Sequence, residues 1–186
     1  MTALVEDAAL DFYPTPGYVT RGFLDDIFAR TMRPAPAKIL EPCAGDGAMV
    51  HELRRTWPSA QLDAFDVQPQ DQGREGIEQR AFWFDEEPGG YDLVFTNPPF
   101  SLALQFAQYC LAKRNHGGTV VLLLPMAFWE SRERFEFNRM NMPHHVYPLH
   151  ERISFTKDGK TDSRQCGWFV WRENNGRGYT TRVTLL

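Results

Sequence analysis

The chain has little cysteine, no long apolar run and no excess of positive charge, and each shortage removes a class of protein. Only 3 of its 186 residues are cysteines. Cys43, Cys110 and Cys166 lie far apart and form no C-x-x-C pair, so neither a disulfide framework nor a zinc site is suggested. His144, His145 and His150 have no spaced carboxylate or cysteine partner and read as surface or packed side chains; no metal is expected. No apolar stretch approaches the roughly 20 residues of a membrane span. The opening Met-Thr-Ala-Leu-Val-Glu-Asp lacks the basic start and apolar core of a secretory signal, so the expectation is a cytoplasmic protein with no membrane partner. Twenty Lys and Arg against 24 Asp and Glu give a net charge of −4, whereas a chain that coats nucleic acid usually carries a basic face. A local patch is still open. Arg132, Arg134 and Arg139 share one segment, and Arg164, Arg172, Arg177 and Arg182 are spread through the C-terminal third, either lining a groove or lying solvated among glutamates.

What is present is an ordinary globular composition, 42% apolar and 24% charged, in a length that fits one domain. Short apolar runs alternate with helical patterns, the signature of strands joined by crossover helices. Strands are expected at 38–41, 61–66, 81–84, 91–96 and 119–124, the last buried on both faces. Helices are expected from about residue 48, over 102–113, and over 131–138. Two further strands, 145–149 and 166–172, have no helix between them and must be antiparallel neighbours or a hairpin. The expected architecture is α/β: a mixed seven-stranded sheet with helices on both faces, in a single domain over 1–186, without repeats or linkers.

Glu41-Pro42-Cys43-Ala44-Gly45-Asp46-Gly47 is a strand end, a glycine turn and a helix start, the arrangement by which open α/β sheets admit a nucleoside cofactor at their carboxyl edge. Gly45 and Gly47 let backbone approach a ligand with no Cβ in the way. The third glycine of the dinucleotide fingerprint is missing, which argues against NAD. Asp66 ends the next strand about 20 residues later, where an acid accepts hydrogen bonds from ribose hydroxyls. Asp85, after Phe84, is placed to accept from an adenine amino group.

Asn97-Pro98-Pro99-Phe100 at the end of the fourth strand is the strongest signal. An aromatic amine is a poor nucleophile because its lone pair is shared with the ring. If the Asn97 side-chain oxygen and the Pro98 carbonyl both accept its hydrogens, the nitrogen is drawn toward tetrahedral geometry and its lone pair is freed for in-line attack on a sulfonium methyl. The two prolines fix the backbone so that the acceptors converge, and Phe100 offers a face for the target base to stack on.

These residues resemble the class I S-adenosylmethionine-dependent DNA adenine-N6 methyltransferases, particularly the small ones of bacteriophages and prophages, over about residues 11–171. The resemblance implies a Rossmann-like class I methyltransferase fold, S-adenosylmethionine as cofactor and DNA as partner. Asp11-Phe12-Tyr13-Pro14-Thr15-Pro16 resembles the family's N-terminal motif, which implies cofactor contacts from Phe12, Tyr13, Thr15 and Pro16. The glycine motif implies contacts from Glu41, Cys43, Ala44, Gly45 and Gly47. Asp66 with Val67 resembles the ribose-binding pair, Asp85 the adenine contact, and Asn97, Pro98, Pro99 and Phe100 the catalytic motif, with Asn97 also beside the cofactor. Thr161-Asp162-Ser163 and the following Cys-Gly-Trp-Phe-Val-Trp are similar to the phage members' ending but suggest no role. Restriction-associated relatives carry a target-recognition domain for which there is no room here, so loops such as 126–130 or 156–164 would do the reading and a short or relaxed recognition sequence is expected. The motif equally suits adenine or guanine in RNA, or a glutamine amide in protein, and a methyltransferase-like binding module is a further alternative. Monomer and homodimer both stay open.

Overall fold

Parallel strands need a crossover between them, and the helical segments of this chain supply it. The computed structural model describes residues 14–71, 73, 75–81, 89–150, 153, 164–172 and 181–184. Eight strands form one sheet: β1 (Lys38–Glu41), β2 (Gln61–Asp66), β3 (Glu78–Gln79), β4 (Tyr91–Thr96), β5 (Arg114–Pro125), β6 (His145–Pro148), β7 (Cys166–Trp171) and β8 (Arg182–Val183). Their order is β3-β2-β1-β4-β5-β7-β6-β8. The strands β3 to β5 pair in parallel. β7 runs antiparallel to both β5 and β6, because a strand that follows another without a helix has to turn back. The mixed α/β sheet expected from the sequence is the one observed.

Helices cover both faces. On one side lie α1 (Gly17–Phe23), continued by a π-helical turn Leu24–Phe28 and an α-helical turn Ala29–Thr31, and α2 (Ala48–Thr56). On the other lie α3 (Ala103–Lys113), a 3-10 turn Met126–Trp129 and α4 (Phe135–Met140). Period-two alternation divides each strand between the layers. Ile39, Phe95, Val121 and Trp168 face α1 and α2. Leu40, Val94, Val120 and Phe169 face α3. Phe23 stacks on Trp168 at 4.9 Å between centroids, and Phe95 lies 5.0 Å from the same indole. α1 has no side-chain cap at Pro16, a deficit of about 1 kcal/mol. Burial of Phe23, Leu24 and Phe28, at roughly 1.5–3 kcal/mol each, outweighs it.

The structure departs from the sequence reading in four places. A two-residue strand that the pattern does not mark stands at Glu78–Gln79, paired with Phe65 and Asp66 of β2; the strand expected at 81–84 lies, beyond Ala81, outside the described residues. The sheet has eight strands rather than seven, because Arg182–Val183 adds a two-residue edge beside β6. β5 begins at Arg114 rather than 119, its polar start joined to β4 through a register shift between Tyr91 and Leu93. The charged helix is displaced from 131–138 to Phe135–Met140. Among the described residues no helix is long and apolar enough to cross a membrane.

Candidate active site

The strands β1, β2 and β4 run parallel, so their C-terminal ends share one edge of the sheet, and each ends in a polar residue that a hydrophobic strand would not need. Glu41, at the end of β1, is 0% exposed. Its Oε1 accepts from the Cys43 backbone N–H at 3.1 Å and from the Thr96 hydroxyl at 2.5 Å. Its Oε2 is buried and meets no hydrogen-bond partner among the described residues. Burial pushes this carboxyl up to about 8, against the pull of the two hydrogen bonds and with help from the nearby Asp66 charge. Cys43 is half-buried beside it, and burial with the neighbouring Asp66 and Glu41 carboxylates raises its thiol well above the ordinary value.

The turn after β1 is held from β2. Asp66 Oδ2 accepts the Gly45 N–H at 2.9 Å and Oδ1 accepts the Gln68 N–H at 2.8 Å, while Ala44 N–H donates to the Phe65 carbonyl at 3.1 Å. Burial raises the Asp66 carboxyl, and the two backbone bonds oppose it. A carboxylate has about four acceptor sites, so Asp66 braces the glycine turn and retains capacity for a ligand hydroxyl. Val67 follows at the bend, its carbonyl accepting from Gln79 Nε2 at 3.2 Å.

Gly45 and Gly47 are both left-handed, with φ of 52° and 81°. At Gly47 the space that a Cβ would occupy is filled: it would lie 2.7 Å from Glu75 Cγ and 3.1 Å from Glu75 Cβ. Glu75 is fixed there by Arg54 at 2.8 Å. The missing Cβ of Gly47 therefore makes room for the Glu75 side chain, which packs against the turn. Gly47→Ala is expected to destabilise the fold by about 1–2 kcal/mol, read as a lowered urea midpoint at unchanged slope; an unchanged midpoint would mean that the turn re-forms around the methyl group.

At the end of β4, Asn97 Nδ2 donates to the Thr15 hydroxyl at 2.9 Å, and Thr15 is 6% exposed. Pro16 starts α1, its carbonyl accepting the Val19 N–H at 2.9 Å. Pro98 is buried, and Pro99 leads into a 3-10 turn Phe100–Leu102 that opens α3. That turn drives Phe100 into the apolar layer, where the ring is 8% exposed. The Arg164 guanidinium lies over it, 5.7 Å from the centroid. The open stacking face expected at Phe100 is thus covered in this structure, and a base reaches that side only where Arg164 gives way.

Three expected positions, Phe12, Tyr13 and Asp85, lie outside the described residues, as do residues 156–163 of the recognition loop and Thr161-Asp162-Ser163 within it. The other loop, 126–130, forms the 3-10 turn Met126–Trp129 with Phe128 buried. Of the arginines singled out in the sequence, Arg177 lies outside the described residues. Arg139 pairs with Glu136 at 2.9 Å, and Arg172, just beyond the end of β7 that pairs with Val120, donates to the Thr31 hydroxyl at 3.0 Å. Among the described residues no group of three or more His, Cys, Asp or Glu is arranged to hold a metal ion.

Two parts of the site are not marked by any motif. Thr96 joins β4 to Glu41; its only trace in the sequence is a polar residue closing an apolar strand. Glu52 on α2, with its side chain 2% exposed, takes Arg21 at 2.7 Å and Arg55 at 2.7 Å, and the hydrogen bonds from Arg21 hold its carboxyl below the ordinary value. This ion triad clamps α1, and with it Thr15, onto the rest of the site.

No family model and no curated sequence matches the chain. Solved structures do match. A type I restriction-modification methyltransferase subunit from Streptococcus thermophilus superposes with a TM-score of 0.65 at 13% identity, over 89% of this chain and 46% of that one. A candidate class I S-adenosylmethionine-dependent methyltransferase from Listeria monocytogenes gives 0.64 at 12% identity, over 91% and 64%. A candidate RNA methyltransferase from Pyrococcus horikoshii gives 0.65 at 13%, over 87% and 86%. The fold is that of the class I methyltransferases. The chain spans less than two thirds of the Listeria and Streptococcus proteins. In this methyltransferase fold the glycine turn, Asp66 and Asn97 share the carboxyl edge of the sheet.

Proposed function

We propose that the chain transfers the methyl group of S-adenosylmethionine to the exocyclic N6 of adenine in DNA. The observation that carries the reading is the placing of Asn97-Pro98-Pro99-Phe100 directly beyond β4, tied through Thr96 to Glu41 and so to the glycine turn. The buried Oε2 of Glu41, without a hydrogen-bond partner among the described residues, fits a polar group of the ligand, and Asp66 fits a ribose hydroxyl. Glu41, Cys43, Ala44, Gly45, Asp66 and Val67 would hold the cofactor from the sheet side, with Thr15, Pro16, Phe12, Tyr13 and Asp85 around it. Bound there, S-adenosylmethionine supplies an electrophilic methyl on a sulfonium.

The chain's own part is to make a sluggish amine reactive. Asn97 Oδ1 and the Pro98 carbonyl accept the two amine hydrogens, the nitrogen rehybridises, and its lone pair points away from the ring for in-line attack. No strong base is needed, because the methylated nitrogen is acidic and gives its extra proton to water. Adenine in DNA is favoured over other planar nitrogens by the N-terminal Asp-Phe-Tyr-Pro-Thr-Pro segment and by the restriction-modification protein that shares the fold, although the same fold serves a candidate RNA enzyme. Sequence reading by the loops beside Arg132, Arg134 and Arg164 would give a short or relaxed recognition sequence, in a cytoplasmic setting.

Methyl-labelled cofactor offered in parallel to duplex DNA, single-stranded DNA, RNA and protein tests this. The expected product is N6-methyladenine from DNA after digestion to nucleosides. Label confined to RNA or to a protein glutamine would overturn the DNA reading, and no label anywhere would leave the fold as a binding module.

A further inference from the structure

We infer that Thr15 is a positioning residue for the reaction: its hydroxyl sets which way round the Asn97 amide points. This rests on the proposed amine activation and assigns Thr15 a task beyond contact with the cofactor. An asparagine amide carries an acceptor on one side and a donor on the other, and the two are interchanged by a half-turn about the last side-chain bond. Only the orientation with Oδ1 toward the target can accept an amine hydrogen; the reverse presents an N–H to an N–H and repels it. In this structure Nδ2 donates to Thr15 Oγ1 at 2.9 Å, so Oδ1 lies on the side away from Thr15. Thr15 is buried at 6% exposure, which keeps water from competing for the bond. The hydroxyl accepts here, and a hydroxyl presents two lone pairs with one proton to send elsewhere.

Thr15 also cannot drift. Pro16 opens α1 directly after it, and α1 is held to α2 by the bidentate contact of Arg21 with the buried Glu52, 2.7 and 3.2 Å. Residue 15 is 82 positions from Asn97 along the chain, so the contact exists only because α1 packs across the sheet.

The test compares Thr15→Val, which keeps the shape and removes the acceptor, with Thr15→Ser, which keeps the acceptor. Thr15→Val is expected to lower kcat about 10- to 100-fold, part of the loss seen when a preorganised polar contact is removed from an active site, a fall much larger than any rise in KM for S-adenosylmethionine from the lost cofactor contact. Thr15→Ser should recover most of the rate. In an Asn97→Ala background Thr15→Val should cost nothing further, since the group it orients is gone. A kcat unchanged in Thr15→Val, a loss that appears only in the cofactor KM, or a full additional loss in the double variant would each overturn the inference. If the wild type labels an acceptor other than DNA adenine, the proposed substrate falls and the same comparison is read on that acceptor; if it labels adenine and Thr15→Val is unimpaired, only the positioning role falls. A wild type that transfers methyl to no acceptor sinks both.

Discussion

Asn97→Ala is expected to remove nearly all methyl transfer, by a factor on the order of 10² to 10³ or more in single-turnover rate, while titration calorimetry with S-adenosylmethionine changes by no more than about twofold. The separation follows from what each group does. In the proposed reading the glycine turn and Asp66 hold the cofactor, and their geometry depends on backbone bonds to Gly45 and Gln68 and not on the Asn97 side chain. In the same reading the rate depends on two acceptors converging on one amine, and an alanine side chain offers none. An Asn97→Ala variant retaining near-full rate would end the amine-activation account, and one that folds but no longer binds cofactor would place Asn97 in binding instead.

The second large effect is on stability. The Glu41 carboxyl ionises near 4.5 when free and near 8 in the fold, chiefly because burial disfavours the charge. Below the lower value both states are protonated and nothing is lost; as pH climbs toward the upper value the unfolded chain sheds its proton while the folded one keeps it, so the folded state loses ground steadily. At pH 7 that difference amounts to about 3 kcal/mol. Glu41→Gln has no such proton, and its amide oxygen can still accept from Thr96 and Cys43. The variant should therefore gain on wild type by roughly that amount between pH 4.5 and 7, measured by urea unfolding at several pH values. A gap that stays constant with pH would show the folded carboxyl to be ionised and the Oε2 site to have a partner that answers its charge.

The strands were legible where the chain alternates cleanly or runs apolar, and 38–41, 61–66 and 91–96 stand where the pattern places them. What the pattern misses is explained by partners that are remote in sequence. β3 forms by pairing with Phe65 and Asp66 of β2, and β8 by pairing with His145 and Val146 of β6; neither partner is written in Glu78–Gln79 or Arg182–Val183. The helix from Gly17 is not among the expected elements, although Val19, Phe23, Leu24, Ile27 and Phe28 recur at helical spacing; Gly17 and Gly22 lower the local propensity, and tertiary packing overrides it. At the site, the chemistry-bearing residue types were legible and their mutual contacts were not. Asn97 marks itself by its prolines; that it leans on Thr15, that Thr96 reaches Glu41, and that Phe100 lies under Arg164 all depend on the crossing of distant segments.

The buried Glu52 between Arg21 and Arg55 gives the N-terminal part of the molecule an all-or-none character. Peeling the first helix from its neighbour would strand an anion in an apolar layer with half its counter-charge withdrawn, so partial detachment is costlier than either the docked or the fully released state. Small thermal excursions of that helix are therefore expected to be suppressed, and the threonine at its head to be carried with the ion triad.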